Sequence, residues 1–210
     1  MKYGAVIIET RNLTDLPFII EGHMSYLPDT WGLTIFHGKY NGKVLKEHFH
    51  EANFIDLECE TLNHETLNRL LTSTYFWNQI PYDKILMFHP DSRILRKGIE
   101  EFLEWDYIGA PWASNESGGN GALSIRDKKA TLRLIEHLPY KGYKIHDNED
   151  RWVSNNLHLV GGKIAPRDIC FKFSCETIFC LKTFGFHAIE KYLTKEECHQ
   201  ILNQYDRKFK

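Results

Sequence analysis

The stretch KILMFHPDSR, residues 84–93, begins as a buried strand and ends in a corner. Its first half is a continuous apolar run. Pro90 then removes a backbone N–H and fixes φ, so strand pairing should stop there. Asp91 follows on a rigid turn at the carboxyl end of the strand, which is where ligands bind in open α/β sheets. A simple turn cap is the alternative role for Asp91, and these ten residues do not decide between the two.

Strands and helices alternate along the rest of the chain. Apolar and β-branched runs predict strands at residues 3–10, 32–38, 53–58, 84–88, 107–109 and 122–126. Amphipathic segments and capping residues predict helices at residues 15–27, 65–78, 97–104 and 127–138, a helix that Asp147 or Asn148 caps and that ends near residue 159, and a last helix from about residue 194. This alternation predicts an α/β fold with a mainly parallel sheet flanked by helices.

Composition bounds the class of protein. With 210 residues and 42% hydrophobic content, we expect a single domain over residues 1–210. A net charge of −2 gives no electrostatic reason to expect nucleic acid or an anionic membrane as a partner. No apolar run reaches the roughly 18 residues of a spanning helix, so we expect no membrane insertion. The five cysteines form no C-x-x-C pair and predict free thiols in a reducing compartment, the cytoplasm.

Two polar segments could serve either structure or function. Glycines in SGGNGALSIR, residues 117–126, allow a ligand to approach the backbone or simply form a tight turn, and the segment lacks the ending of a phosphate-binding P-loop. In HDNEDRW, residues 146–152, Glu149 and Asp150 fall in the first helical turn, which suits the helix dipole. At 100° per residue they also straddle the inward apolar stripe, where a carboxylate is costly unless it is paired or used.

Taken in order, the segments of the chain resemble a known arrangement. They are similar to glycosyltransferases of the GT-A type, which use nucleotide-sugar donors, and above all to a family of small glycosyltransferase-like proteins of microbes and large DNA viruses, including the chlorella-virus glycosyltransferases. The matching segments are AVIIETR at 5–11, FHG at 36–38, PDS at 90–92, DYIGAPW at 106–112, GNGALSIR at 119–126, NED at 148–150 and GFH at 185–187.

The resemblance implies a divalent cofactor, Mn²⁺ or Mg²⁺, that bridges the diphosphate of the donor. Asp91 matches the second aspartate of an Asp-x-Asp motif, and His187 matches the C-terminal histidine that often completes the coordination. An imidazole ligand would favour Mn²⁺ over Mg²⁺. His89 replaces the first aspartate and is expected to contact ribose or phosphate instead. Ala188 follows where such proteins often have a lysine, so we expect no lysine contact to the diphosphate from that position.

The resemblance also implies how the nucleotide and the sugar are bound. Besides His89, the nucleotide would contact Thr10, Arg11 and Ser92. The donor sugar would lie against Gly119, Asn120 and Gly121, with Asn120 offering both hydrogen-bond donors and an acceptor. Aromatic side chains could stack on sugar rings, although core packing is the simpler role for each of them: Tyr107, Trp112 and Trp152.

The implied activity is metal-dependent transfer of a hexosyl or deoxyhexosyl group from a uridine diphosphate sugar to a hydroxyl of a glycan or glycoconjugate, with inversion. Asp150 would be the catalytic base, and Glu149 would hold hydroxyls of the acceptor or donor. A nucleotide-sugar-binding pseudoenzyme is one alternative. A metal-dependent nucleotidyltransferase is another, although it usually needs a basic phosphate-gripping loop that the sequence lacks.

Overall fold

A computed structural model describes residues 1–114, 117–142 and 148–206, except the side chains of residues 204–206. Its strands are β1 Tyr3–Glu9, β2 Gly32–His37, β3 Asn53–Asp56, β4 Lys84–Phe88, β5 Ser92–Ile94, β6 Tyr107–Ala110, β7 Asn120–Asp127, β8 Ser174–Cys175 and β9 Gly185–His187. Its helices are α1 Leu16–Met24, α2 Gly42–His48, α3 His64–Leu71, α4 Thr74–Gln79, α5 Lys128–His137, α6 Glu149–Asn156, α7 Arg167–Phe173 and α8 Lys195–Asp206. Short 3₁₀ helices occupy Ile99–Phe102, Leu157–Val160 and Ile189–Lys191.

The main sheet has six strands in the order β3-β2-β1-β4-β7-β6. The first four of these strands pair in parallel. β7 runs antiparallel to β4, and β6 runs antiparallel to β7 and so points the same way as β4. A second sheet of three strands has the order β5-β9-β8. The mixed, mainly parallel α/β fold is therefore confirmed.

Helices cover both faces of the central strands, which explains why those strands are apolar without alternation. In β1, Ala5 and Ile7 belong to one core cluster, together with Ile20 of α1. Val6 of the same strand belongs to a second cluster on the opposite face, which contains Trp77 of α4. Both faces being buried, the polar ends of the strands are the part of the sheet left to bind a ligand.

Several elements differ from the sequence predictions. The helix predicted over residues 65–78 is two helices, because the Ser73 hydroxyl accepts a hydrogen bond from the Phe76 N–H (3.3 Å) and caps a new helix. The helix predicted at residues 97–104 is only a 3₁₀ turn. Helices α2 and α7 and the strands of the small sheet were not predicted. Asp147 lies outside the described residues, and Asn148 precedes α6 without a side-chain capping bond.

Three further features are the cap of the last helix, the state of the cysteines and the length of the helices. Thr194 and Glu197 form a capping box at the start of α8, with the Thr194 N–H donating to the Glu197 carboxylate at 2.8 Å. The five cysteines are free thiols. Among the described residues, no helix is both long and apolar enough to cross a membrane.

Candidate active site

A tight turn from His89 to Ser92, the Asp91 corner, carries Asp91 at the carboxyl end of β4. The Ser92 N–H and the Ser92 hydroxyl both donate to the His89 carbonyl, at 3.0 and 2.6 Å. The same hydroxyl lies 3.1 Å from Nε2 of the buried His23, which stacks on Phe88. Ser92, which we expected to contact the nucleotide, is buried, and its hydroxyl instead holds the turn that presents Asp91.

Strand pairing brings a distant histidine to this turn. β5 lies antiparallel to β9, with Ser92 opposite His187, and His187 Nε2 lies 3.1 Å from Asp91 Oδ1. Ligand-type atoms of His89, Asp91 and His187 all lie within 4.8 Å of one another. His89, expected at the ribose or phosphate, thus joins the same cluster. Two imidazoles and one carboxylate fit a divalent transition metal such as Mn²⁺ better than Mg²⁺, which prefers oxygen ligands only.

A buried carboxylate orients the His187 ring. Glu176, which is 3% exposed, lies with Oε1 2.9 Å from His187 Nδ1, and this contact leaves Nε2 directed at Asp91. Carboxylate-to-histidine contacts of this kind fix the tautomer of metal-binding histidines. Burial lowers the pKa of His187, but hydrogen bonds to Asp91 and Glu176 outweigh it and raise that pKa to about 9.

The surroundings of His89 and Asp91, the other two members of the cluster, favour different charge states. Burial and the neighbouring His187 lower the pKa of His89 to about 4, so this ring is neutral at physiological pH and has a lone pair for a ligand bond. Hydrogen bonds from His187 and Lys191 hold the pKa of the Asp91 carboxyl well below its usual range. Asp91 is therefore ionised, as a metal ligand must be.

Lys191 is a site residue that the sequence did not predict. Its Nζ donates to Asp91 Oδ2 at 2.7 Å, although residue 188, where similar proteins often have lysine, is alanine. Ala188 adopts a left-handed conformation (φ 46°), and the 3₁₀ turn Ile189–Lys191 that follows carries the lysine back to the corner. The sequence prediction concerned position 188 only and stays a prediction; Lys191, three residues later, is the lysine that contacts Asp91.

The end of β1 contributes one exposed cation. The Arg11 guanidinium makes hydrogen bonds to both carboxylate oxygens of the buried Glu9, at 2.9 and 2.6 Å, and the Arg11 side chain remains 61% exposed. Thr10, in contrast, is buried, and its hydroxyl accepts a hydrogen bond from the Leu62 N–H at 3.1 Å. Of the two residues expected to face the nucleotide, Arg11 alone presents a polar group to solvent.

The glycine segment lies where β6 meets β7. The Tyr107 hydroxyl donates to the Gly119 carbonyl at 2.9 Å, and Asn120 Oδ1 accepts from the Ala122 N–H at 2.9 Å. Tyr107 is fully buried and is a core residue, not a sugar-stacking one. Of the other aromatics, Trp112 lies under the Arg151 guanidinium, 5.4 Å from its ring centroid, and Trp152 packs edge-on against a tyrosine.

Asp150 is fastened to this glycine segment. Its Oδ2 accepts from the Gly121 N–H at 3.1 Å, and its Oδ1 accepts from the Arg151 N–H at 2.7 Å. A Cβ at residue 121 would lie 3.0 Å from Asp150 Cβ and would clash with Arg126, so only glycine permits this approach. Burial raises the pKa of the Asp150 carboxyl, and the two backbone hydrogen bonds oppose the rise without cancelling it.

Glu149 points into the protein and forms a buried ion pair with Arg126. Both of its oxygens accept from the guanidinium, one at 3.1 Å, and the side chains of Arg126 and Glu149 are 1% and 4% exposed. Arg126 also lies over the Tyr107 ring, 5.3 Å from its centroid. Glu149, which we expected to hold sugar hydroxyls, is thus engaged by Arg126. An arginine inside the apolar strand β7 was the available signal for this pair.

Solved structures share the fold of this chain. It superimposes on S. aureus TarS 1–349 in complex with UDP with a TM-score of 0.55 at 9% identity, covering 96% of this chain and 63% of that one. It superimposes on the apo-form glycosyltransferase GlyE of Streptococcus pneumoniae TIGR4 with a TM-score of 0.51 at 12% identity, covering 100% and 64%. The fold is the GT-A glycosyltransferase fold, and the chain spans less than two thirds of each of these proteins. The chain belongs to the family described as "Protein of unknown function (DUF5672)", whose model matches residues 50–187. No curated protein matches it in sequence.

Proposed function

We propose that this protein is a metal-dependent glycosyltransferase. It would move a sugar from a nucleoside diphosphate sugar, with uridine as the expected base, to a hydroxyl of a glycan or glycoconjugate, with inversion at the anomeric carbon. The observation that carries the proposal is the meeting of His89, Asp91 and His187 at the carboxyl end of β4. The UDP bound to the structurally similar TarS supports the choice of donor.

The charged groups around the corner suit a diphosphate leaving group. His89, Asp91 and His187 would hold Mn²⁺, or Mg²⁺ less well; when bound, such an ion neutralises negative charge on the diphosphate. Lys191 and Arg11 add two exposed cations near Asp91. Positive groups fixed where charge develops lower the barrier for departure of the leaving group.

Asp150 would act as the catalytic base. Its carboxylate would take the proton of the acceptor hydroxyl while that oxygen forms a bond to the anomeric carbon and the bond to the diphosphate oxygen breaks. A raised pKa suits this task, because a stronger base accepts the proton more readily. The Glu149–Arg126 pair would position Asp150, since it ties the first turn of α6 to β7.

Release of UDP from a UDP-sugar in the presence of Mn²⁺, with and without acceptor, tests the proposal. We expect Asp150→Asn to lower transfer by about 10²- to 10⁴-fold with little change in donor affinity. We expect Asp91→Ala to abolish the Mn²⁺-dependent rise in melting temperature that UDP gives. Asp29→Asn, at an exposed aspartate, is the control and should change neither.

Three results would contradict the proposal. Transfer by Asp150→Asn within about threefold of the wild type would exclude the base assignment. Nucleotide-sugar binding without release of UDP, under any acceptor and metal condition, would make the protein a pseudoenzyme. Release of pyrophosphate from a nucleoside triphosphate would make it a nucleotidyltransferase.

A further inference from the structure

A cavity lined by several charged side chains opens at the carboxyl ends of β2 and β3. It has a volume of about 430 Å³, and its lining includes Lys39, Lys43 and Lys46. β1 alone separates β2 from β4 in the sheet, so at about 4.8 Å per strand the two strands lie roughly 10 Å apart. The cavity therefore occupies the same edge of the sheet as the Asp91 corner, and none of its residues belongs to that corner.

The cavity carries an excess of unpaired positive charge. The Nζ of Lys39 and of Lys46 lie over aromatic rings, 5.6 Å from the centroid of Tyr40 and 5.8 Å from that of Phe54. Within the described residues, no carboxylate oxygen lies at ion-pairing distance from any of the three lysine Nζ atoms. Glu47 and Asp56 offset part of the charge, and a net positive lining remains.

A buried histidine with an unused nitrogen also lines this cavity. His37 is 2% exposed, and its Nδ1 lies 2.9 Å from the Gly38 carbonyl oxygen, so Nδ1 carries the proton in that contact. Its Nε2 has no hydrogen-bond partner among the described residues. Buried polar atoms almost always have a partner, so each exception requires an explanation. The ring fits under α2 because residue 42 is glycine, where any Cβ would clash with it.

The loop that shapes the cavity is fixed to the end of β1. The buried Asn41 accepts from the Gly38 N–H at 2.9 Å and donates to the carbonyls of Glu9 and Arg11, at 2.7 and 3.1 Å. The Asn41 side chain thus fastens the loop after β2 to the last residue of β1 and to Arg11, which follows that strand. A site held in this way is largely formed before a ligand arrives, which lowers the entropy lost on binding.

We propose that this cavity is a binding subsite for a phosphoryl group of a small phosphorylated ligand. The lysines supply the positive charge that attracts a phosphoryl group, and the buried His37 of the same lining has an Nε2 that lacks a partner among the described residues. The phosphoryl group belongs either to the nucleotide bound at the Asp91 corner or to a separate molecule. The subsite does not rest on the proposed sugar transfer.

Calorimetric titration with inorganic phosphate, at low ionic strength in a phosphate-free buffer, tests the proposal. The double variant Lys43→Gln/Lys46→Gln should bind phosphate about 5- to 30-fold more weakly, since two exposed charge pairs are each worth about 0.5 to 1 kcal/mol. The matched control Lys97→Gln/Lys129→Gln removes the same charge from two exposed lysines outside the cavity, and it should bind phosphate like the wild type.

Repeating the titration with UDP at saturation assigns the source of the phosphoryl group. Undiminished phosphate binding supports a subsite for a separate phosphorylated molecule. Loss of phosphate binding, together with weaker UDP binding by Lys43→Gln/Lys46→Gln, supports a subsite filled by the nucleotide. Absence of measurable phosphate binding by the wild type would overturn the proposal. Equal weakening of phosphate binding in the control variant would also overturn it. A phosphate affinity of the cavity variant within twofold of the wild type would do the same.

Discussion

Replacing Glu149 by glutamine should destabilise the protein by about 3–5 kcal/mol. Arg126 and Glu149 have side chains 1% and 4% exposed, so the substitution leaves a buried guanidinium without its counter-charge. In a domain of this size 1 kcal/mol shifts the melting temperature by about 2–4 °C, so we expect a fall of roughly 6–20 °C. Burial raises the pKa of the Glu149 carboxyl, and the charge and hydrogen bonds of Arg126 oppose that rise.

Urea unfolding followed by circular dichroism measures the effect as a change in midpoint at constant m. Glu65→Gln is the matched control, since Glu65 pairs with Arg69 on an exposed helix face, with side chains 68% and 58% exposed. Such pairs contribute about 0.3–0.5 kcal/mol. The double variant Arg126→Met/Glu149→Leu, which removes both charges, should lose less stability than Glu149→Gln. A loss below about 1 kcal/mol in Glu149→Gln would refute the argument that Arg126 depends on this carboxylate.

Three further outcomes follow from the site. Glu176→Gln, which keeps the shape but removes the charge beside His187, should weaken Mn²⁺ binding about 10- to 100-fold, measured by titrating Mn²⁺ against UDP-dependent thermal stabilisation. Lys191→Met should weaken UDP binding several-fold in calorimetry, since it removes a cation beside Asp91; unchanged affinity would place Lys191 outside the donor site. Because burial raises the pKa of Asp150, the transfer rate should rise with pH through a midpoint above the ordinary aspartate value of about 3.9, and Asp150→Asn should lack that limb.

The strands of the main sheet were predictable, whereas several helices and the strands of the small sheet were not. The runs of β1, β2 and β4 are apolar and β-branched throughout because they are buried on both faces, and that signal is local in sequence. Helix α2 has only seven residues, with a glycine at its start, so its short sequence carries little periodicity. The break between α3 and α4 did have a local signal, the Ser73 cap, but the apolar pattern runs across it.

Some residues of the candidate site could likewise be predicted from the sequence, and others could not. Asp91 and Asp150 could be picked out because each stands at a strand or helix end in a short distinctive segment. Glu176 and Lys191 could not, since the pairing of β5 with β9 and β9 with β8 brings them to Asp91 and His187. Such pairing depends on the tertiary fold and leaves no mark on neighbouring residues. The choice of metal, the uridine base, the cytoplasmic location and the likeness to the viral proteins stay predictions.

The two hydrogen bonds between the Arg11 guanidinium and the Glu9 carboxylate affect how fast and how selectively an anionic ligand is recognised. A guanidinium has five N–H groups, and two of them are used on Glu9, so the remaining groups face outward from a side chain already held in one rotamer. An arginine carries about 2 kcal/mol of rotamer entropy, which here is lost during folding and not during an encounter with a ligand. A lysine at this position would keep the positive charge but would lack the planar set of N–H donors. Each binding event would then have to restrict the rotamers of the lysine side chain.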